Sequence, residues 1–166
     1  MNSILRRRSI RQYTGQKIQD EHIKKILEAA MSAPSAGNEQ PWHFIIVKDA
    51  QTLERLSQTH RHASMIKQAA VAIVVCGDLN REIKKGMWVQ DCSAATENIL
   101  IEVEELNLAA VWVGVYPRED QVEYVKNLFN LPNPIIPLSI VSVGYPAERF
   151  EPTNRFDESR IHYEQW

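Results

Sequence analysis

The chain has 166 residues, enough for one domain with a hydrophobic core and too few for two comfortable ones. Hydrophobic residues make up 44% and charged residues 24%, the balance of an ordinary globular protein rather than a disordered or membrane-embedded one. Lys plus Arg is 19 and Asp plus Glu is 21, a formal net charge of -2, which argues against general electrostatic binding of nucleic acid.

The first feature in chain order is Arg6-Arg7-Arg8-Ser9-Ile10-Arg11, four cations and a hydroxyl within six residues. Arginine forks grip phosphate oxygens in a planar, bidentate way, and a serine hydroxyl adds a short donor. Taken alone, the run fits a solvated or nucleic-acid-attracting arm as well as a cofactor clamp. In a near-neutral protein it suits a small anionic ligand. Asp20–Met31 reads as an amphipathic helix, with apolar residues at 23, 26, 27, 30 and 31 and Asp20 as N-cap. It should stop near Ser32-Ala33-Pro34, because proline disfavours helical geometry in the residue before it. A loop of small and polar residues over 35–41 leads into a strand at Trp42–Val47, and a second helix is predicted over 50–58. The run 71–77 is nearly all apolar and reads as a strand buried on both faces.

A long helix over 88–107 presents Ala95, Ile99, Val103 and Leu106 on one face, widened by Ala94, Ile101 and Leu108. So much apolar surface predicts a central helix, or one at a subunit interface. A strand over 110–116 is stopped by Pro117. A surface helix covers Glu119–Phe129, with Val122, Val125, Leu128 and Phe129 facing in, and a strand over 138–145 is closed by Pro146. Residues 147–166 are polar and charged but carry Phe150, Phe156, Tyr163 and Trp166, more aromatics than a disordered tail holds. They read as an arm that packs on another surface, such as a partner subunit. This order of elements predicts a mixed sheet covered by helices.

Cys76 and Cys92 read as buried free thiols, and no Cys/His spacing resembles a metal site. No signal-type stretch or membrane-length run is present, so a cytoplasmic location is expected. There is no Gly-rich phosphate loop and no GxSxG elbow. His60 and His62 are expected in a surface loop. Asp91, Glu97, Glu102, Glu104 and Glu105 are expected mostly on a solvated helix face, with no carboxylate pair set up as an acid/base couple. The polar and small-residue signals lie instead at the arginine run, the 34–41 loop, the 112–116 strand and the C-terminal arm. That distribution fits an enzyme whose bound cofactor does the chemistry. Each place has a plainer role too: Asn38 and Gln40 order their own turn, Gly114 makes a bulge, Arg155 is a surface cation.

Together these places resemble the nitroreductase family of flavin enzymes, in order and over nearly the whole chain. Arg7-Arg8-Ser9-Ile10-Arg11 resembles its N-terminal signature, and the stretch from Ala33 to Phe44, with Gln40-Pro41-Trp42, resembles its second motif. The stretch from Trp88 to Asn98 is similar to the opening of its central helix. The stretches from Val111 to Pro117 and from Val143 to Glu148 are similar to two later strands, and that from Arg155 to Tyr163 to its C-terminal arm.

The resemblance implies an α+β fold of three layers, a central mixed, mainly antiparallel sheet flanked by helices, with a C-terminal arm reaching the partner subunit. It implies a homodimer with tightly bound, non-covalent FMN at the interface and NAD(P)H as co-substrate. Arg7, Arg8, Ser9 and Arg11 would hold the phosphate and ribityl chain, Arg11 also reaching the pyrimidine edge, and Arg155 would close on the phosphate. Pro34, Ser35 and Asn38, with Gln40 beside them, would come from the other subunit, and Val113 and Gly114 would offer backbone groups to the ring. Arg6 lies outside the motif and is expected to be solvated. The implied activity is ping-pong transfer from NAD(P)H to a small acceptor such as a nitroaromatic or quinone, with no side-chain catalyst, no metal, no nucleic acid and no membrane. The same scaffold also serves reductive dehalogenation, flavin breakdown or FMN storage. Two departures stand out. A short segment over 79–87, with Arg81, Lys84 and Lys85, replaces the larger lid of many relatives, and Thr153-Asn154 stands where many carry another cation.

Overall fold

The computed structural model describes residues 2–151 and 153–166. In chain order the elements are α1 (Ser3–Arg6), α2 (Asp20–Met31), β1 (Trp42–Val47), α3 (Ala50–Leu56), β2 (Val71–Asp78), α4 (Trp88–Glu105), β3 (Ala109–Gly114), α5 (Glu119–Phe129) and β4 (Ile135–Gly144). The strands form one sheet in the order β1-β2-β4-β3, with every strand pair antiparallel. Among the described residues the parallel component of the expected mixed sheet is a single bridge, Ser9 beside Ala110.

Period-two alternation on β2 builds the three layers. Val71, Ile73 and Val75 pack toward α2 and α4, against Ile26, Ala95 and Ile99. Ala72, Val74 and Cys76 point the other way, against Leu56, Ile66 and Val125. Both faces of the strand are buried, as its apolar run predicts. The central helix is confirmed, with Cys92, Ala95, Ile99 and Val103 fully buried or nearly so.

Several boundaries differ from expectation for local reasons. Gln19 rather than Asp20 caps α2, and the Asp20 carboxylate pairs with Lys48 instead. The second helix tightens into a 3-10 turn at Ser57–Thr59. α4 stops at Glu105, and Asn107 takes a left-handed φ of 56° to turn the chain into β3. β4 begins at Ile135, before Pro137. The ladder with β2 shifts register between Val75 and Cys76, so the proline sits at an irregularity where a missing N–H costs least. The bulge allowed for at Gly114 lies here, because Gly114 pairs in regular register with Ser139.

Candidate active site

α1 is capped by the Asn2 side chain, which accepts from Ile4 N–H, and it delivers the arginine run to the edge of the sheet. Arg6 is not simply solvated: its Nε lies 3.1 Å from Glu104 Oε1, and it also reaches Glu105 on α4. Beyond it, Ile10 N–H donates to the Ala110 carbonyl (3.0 Å) and Thr14 N–H to the Tyr145 carbonyl (3.0 Å). The buried Tyr13 hydroxyl lies 2.9 Å from the Ile10 carbonyl and 2.8 Å from Ser142 Oγ. The run is therefore a fixed strap along β3. The Glu148 carboxylate accepts both Arg11 N–H (2.7 Å) and Gln12 N–H (3.2 Å), tying the root of the C-terminal arm to the same place.

A groove of about 490 Å³ opens beside this strap, lined by Ile4, Leu5, Arg7, Arg8, Thr153, Asn154, Arg155 and Phe156. It joins Arg7 and Arg8 with Arg155, 147 residues apart or more along the chain, and the Arg8 guanidinium donates to Thr153 Oγ1. Arg7 Nε sits 3.2 Å from Glu97 Oε1, yet its N–H is buried without a hydrogen-bond partner. Ser9 lies exposed between this groove and the next.

The second opening, of about 230 Å³, brings Arg11 together with Val113 and Gly114, and adds His60, His62, Met65, Val111 and Trp112. β3 is an edge strand. The Ala110 carbonyl points outward to Ile10, so by alternation Trp112 and Gly114 direct their main-chain groups out of the sheet, while Val113 directs its own into the ladder. A Cβ at Gly114 would meet nothing within 4 Å, so its bare backbone borders open space.

The two histidines are more than loop surface. His60 Nδ1 accepts from His62 N–H (3.0 Å), and Arg61 Nε–H donates to His62 Nε2 (2.9 Å). These bonds assign the remaining proton to Nε2 of His60 and Nδ1 of His62. Partial burial, then the neighbouring His62, holds His60 below the usual histidine value, so it is neutral at pH 7. A pair two apart in a polar stretch gave no sequence signal of facing Arg11 across the fold.

Pro34, Ser35, Asn38 and Gln40 line neither opening. They belong to a turn at the N-terminal end of α4, where Asp91 Oδ1 accepts Ala36 N–H (2.9 Å). Asp91, expected on a solvated face, is only 4% exposed. Gly37, Asn38 and Gln40 all have left-handed φ, at 58°, 57° and 48°. Ser35 Oγ accepts Gln40 N–H (3.0 Å), and Gln40 Nε2 donates to Asn38 Oδ1 (2.9 Å), so these side chains do order their own turn. One chain thus assembles the arginine groove and the Gly114 opening, and holds the third group apart from both.

A model of the nitroreductase family matches residues 4–61 and 57–145. The chain belongs to that family. It is 48% identical over its full length to a protein of Methanothermobacter thermautotrophicus provisionally named NADH dehydrogenase/NAD(P)H nitroreductase, covering 87% of it. A protein of Archaeoglobus fulgidus with the same name is also 48% identical over 100% of this chain and 98% of its own. Among solved structures, a Clostridium acetobutylicum protein provisionally called an NADH oxidase superposes with a TM-score of 0.97 at 45% identity, covering 99% of this chain and all of that one. A Desulfovibrio desulfuricans protein provisionally named a nitroreductase, solved in complex with FMN, superposes with a TM-score of 0.84 at 28% identity, over 99% and 95% of the two chains. The nitroreductase fold is therefore the three-layer α+β arrangement seen here.

Proposed function

We propose that this nitroreductase-family protein is an NAD(P)H-dependent FMN oxidoreductase that reduces small acceptors such as nitroaromatics or quinones by a ping-pong cycle. The observation that carries the reading is the arginine groove: Arg7, Arg8 and Arg155 converge with Thr153, and the Arg7 Nε–H is buried with no hydrogen-bond partner. That donor set fits a phosphate monoester, and the bare Gly114 edge beside Arg11 fits the close approach of a flat ring. FMN, when bound, supplies the two-electron chemistry between the coenzyme and the acceptor. The chain's residues bind and orient. Arg7, Arg8, Ser9 and Arg155 hold the phosphate end, and Arg11 offers positive charge at the pyrimidine edge. Gly114 offers main-chain groups from the open edge of β3, with Val113 shaping the strand behind it.

The proposal includes a homodimer in which Pro34, Ser35, Asn38 and Gln40 of a second copy complete the site. It is supported by the separation of that turn from both openings and by the exposed aromatic arm, where Phe156 is 73% and Tyr163 82% exposed. Among the described residues no helix is long and apolar enough to cross a membrane.

The purified protein should carry the visible flavin spectrum and bleach when NADH or NADPH is added without oxygen. The double variant Arg7→Ala, Arg11→Ala should lose FMN while keeping its fold by circular dichroism. A colourless wild type that binds no added FMN would overturn the reading, and unchanged flavin content in the double variant would overturn the site.

A further inference from the structure

We propose that Glu39 is a positioning residue that fastens the 79–87 segment to the flavin-facing turn, making that segment a fixed wall of the site rather than a mobile lid. The proposal rests on the reading of the 34–40 turn as part of the FMN site. Glu39 is flanked by exposed neighbours, yet is itself only 6% exposed. Its Oε1 accepts the Lys84 N–H at 2.6 Å, a short, charge-assisted bond across 45 residues of chain. Its Oε2 is buried with no partner, so the side chain bears a desolvation cost while making one bond. A glutamate that served only solubility would face water.

The strain of the turn explains what that bond does. Left-handed φ at Asn38 and Gln40 is costly for non-glycine residues and persists only where surrounding contacts over-determine it. The contacts come from two sides. Asp91 holds the Ala36 N–H from α4. From the 79–87 segment, Arg81 Nε–H donates to the Gln40 carbonyl (3.1 Å) and Lys84 N–H to Glu39. Asp78 N–H, at the root of the segment, donates to the Pro41 carbonyl (2.8 Å). The segment is closed on itself as well, since Glu82 Oε1 accepts Gly86 N–H at 2.5 Å. Turn and segment therefore brace each other, with Glu39 reaching across from the turn and Arg81 from the segment.

Two variants separate the bond from the charge. Glu39→Gln keeps an acceptor oxygen at the same reach and removes the charge. Glu39→Asp keeps the charge and falls short by one methylene. Amide hydrogen exchange on the Lys84 N–H, read by NMR on the full-length protein, should be about tenfold or more faster in Glu39→Asp and close to wild type in Glu39→Gln. In turnover, Glu39→Asp should raise KM for a quinone acceptor, and Glu39→Gln should restore the wild-type KM. Slow Lys84 exchange in Glu39→Asp, or wild-type behaviour in Glu39→Asp with disruption in Glu39→Gln, overturns the proposal. A protein that binds no FMN defeats the reading of the site, but the exchange measurement still decides whether Glu39 holds the segment.

Discussion

Tyr13 anchors the strap that carries the arginine run. Its hydroxyl is buried against the Ile10 carbonyl and against both Oγ and the carbonyl of Ser142. Tyr13→Phe removes the hydroxyl that bonds these buried groups and should cost about 1–2 kcal/mol in urea unfolding at pH 7. The pH profile distinguishes the mechanism. Burial raises the Tyr13 phenol well above its usual range, with the Ser142 bond opposing only in part. The folded value is thus above the unfolded one, near 10 for a free phenol. The unfolded chain releases its proton first as pH rises, so the stability Tyr13 contributes is complete below about pH 10 and is lost above it. Wild type should lose stability between about pH 10 and 12, and Tyr13→Phe should lose measurably less over the same range. An identical alkaline slope in both proteins would contradict this account.

At the scale of elements, Gly77 closes β2 onto α4. A Cβ there would clash with Trp88 Cε3, with Cδ2 and Cζ3 at 3.1 Å. Trp88 opens α4, meets Tyr116 edge-on at 4.9 Å, and ends the segment that Glu39 secures. The clash involves a buried ring with little room to move, so Gly77→Ala should lower the unfolding free energy by about 1–3 kcal/mol, read as a lower urea midpoint with an unchanged m-value. This is also the scale at which the sequence was most informative. Asp20–Met31, Trp42–Val47 and Glu119–Phe129 match their predicted spans, the two helices because their apolar residues recur at helical spacing. Where the signals failed, tertiary contacts had decided. The strand predicted over 138–145 begins at Ile135 instead, and a register shift accommodates Pro137 within it. Asp91 was expected mostly on a solvated face and Glu39 in a loop of small and polar residues, and nothing local reveals that each accepts a backbone N–H from a distant segment. The arginine groove was visible only through the family motif, since joining Arg7 to Arg155 depends on the whole fold.

At the scale of the molecule, the C-terminal arm carries the strongest unmet demand for a partner. Trp166 is fully exposed, stacked on His162 at 4.3 Å, and Phe150 and Phe156 are also exposed. Among the described residues, none of the arm belongs to either hydrophobic core, both of which end by Tyr145. The arm does hold parts of the site: Glu148 accepts Arg11 N–H, and Thr153 and Arg155 line the arginine groove. Removing residues 147–166 should therefore leave the sheet and its helices folded while removing both Arg155, proposed as a phosphate donor, and the surface proposed to meet the second copy. The expected result is a shift from dimer to monomer in light scattering, with FMN content falling in parallel and far-ultraviolet circular dichroism retained. Loss of FMN with the dimer intact would assign the arm to the cofactor alone. A shortened chain that remains dimeric and yellow would show that the interface and the phosphate grip lie wholly within the strap, the sheet edge and α4.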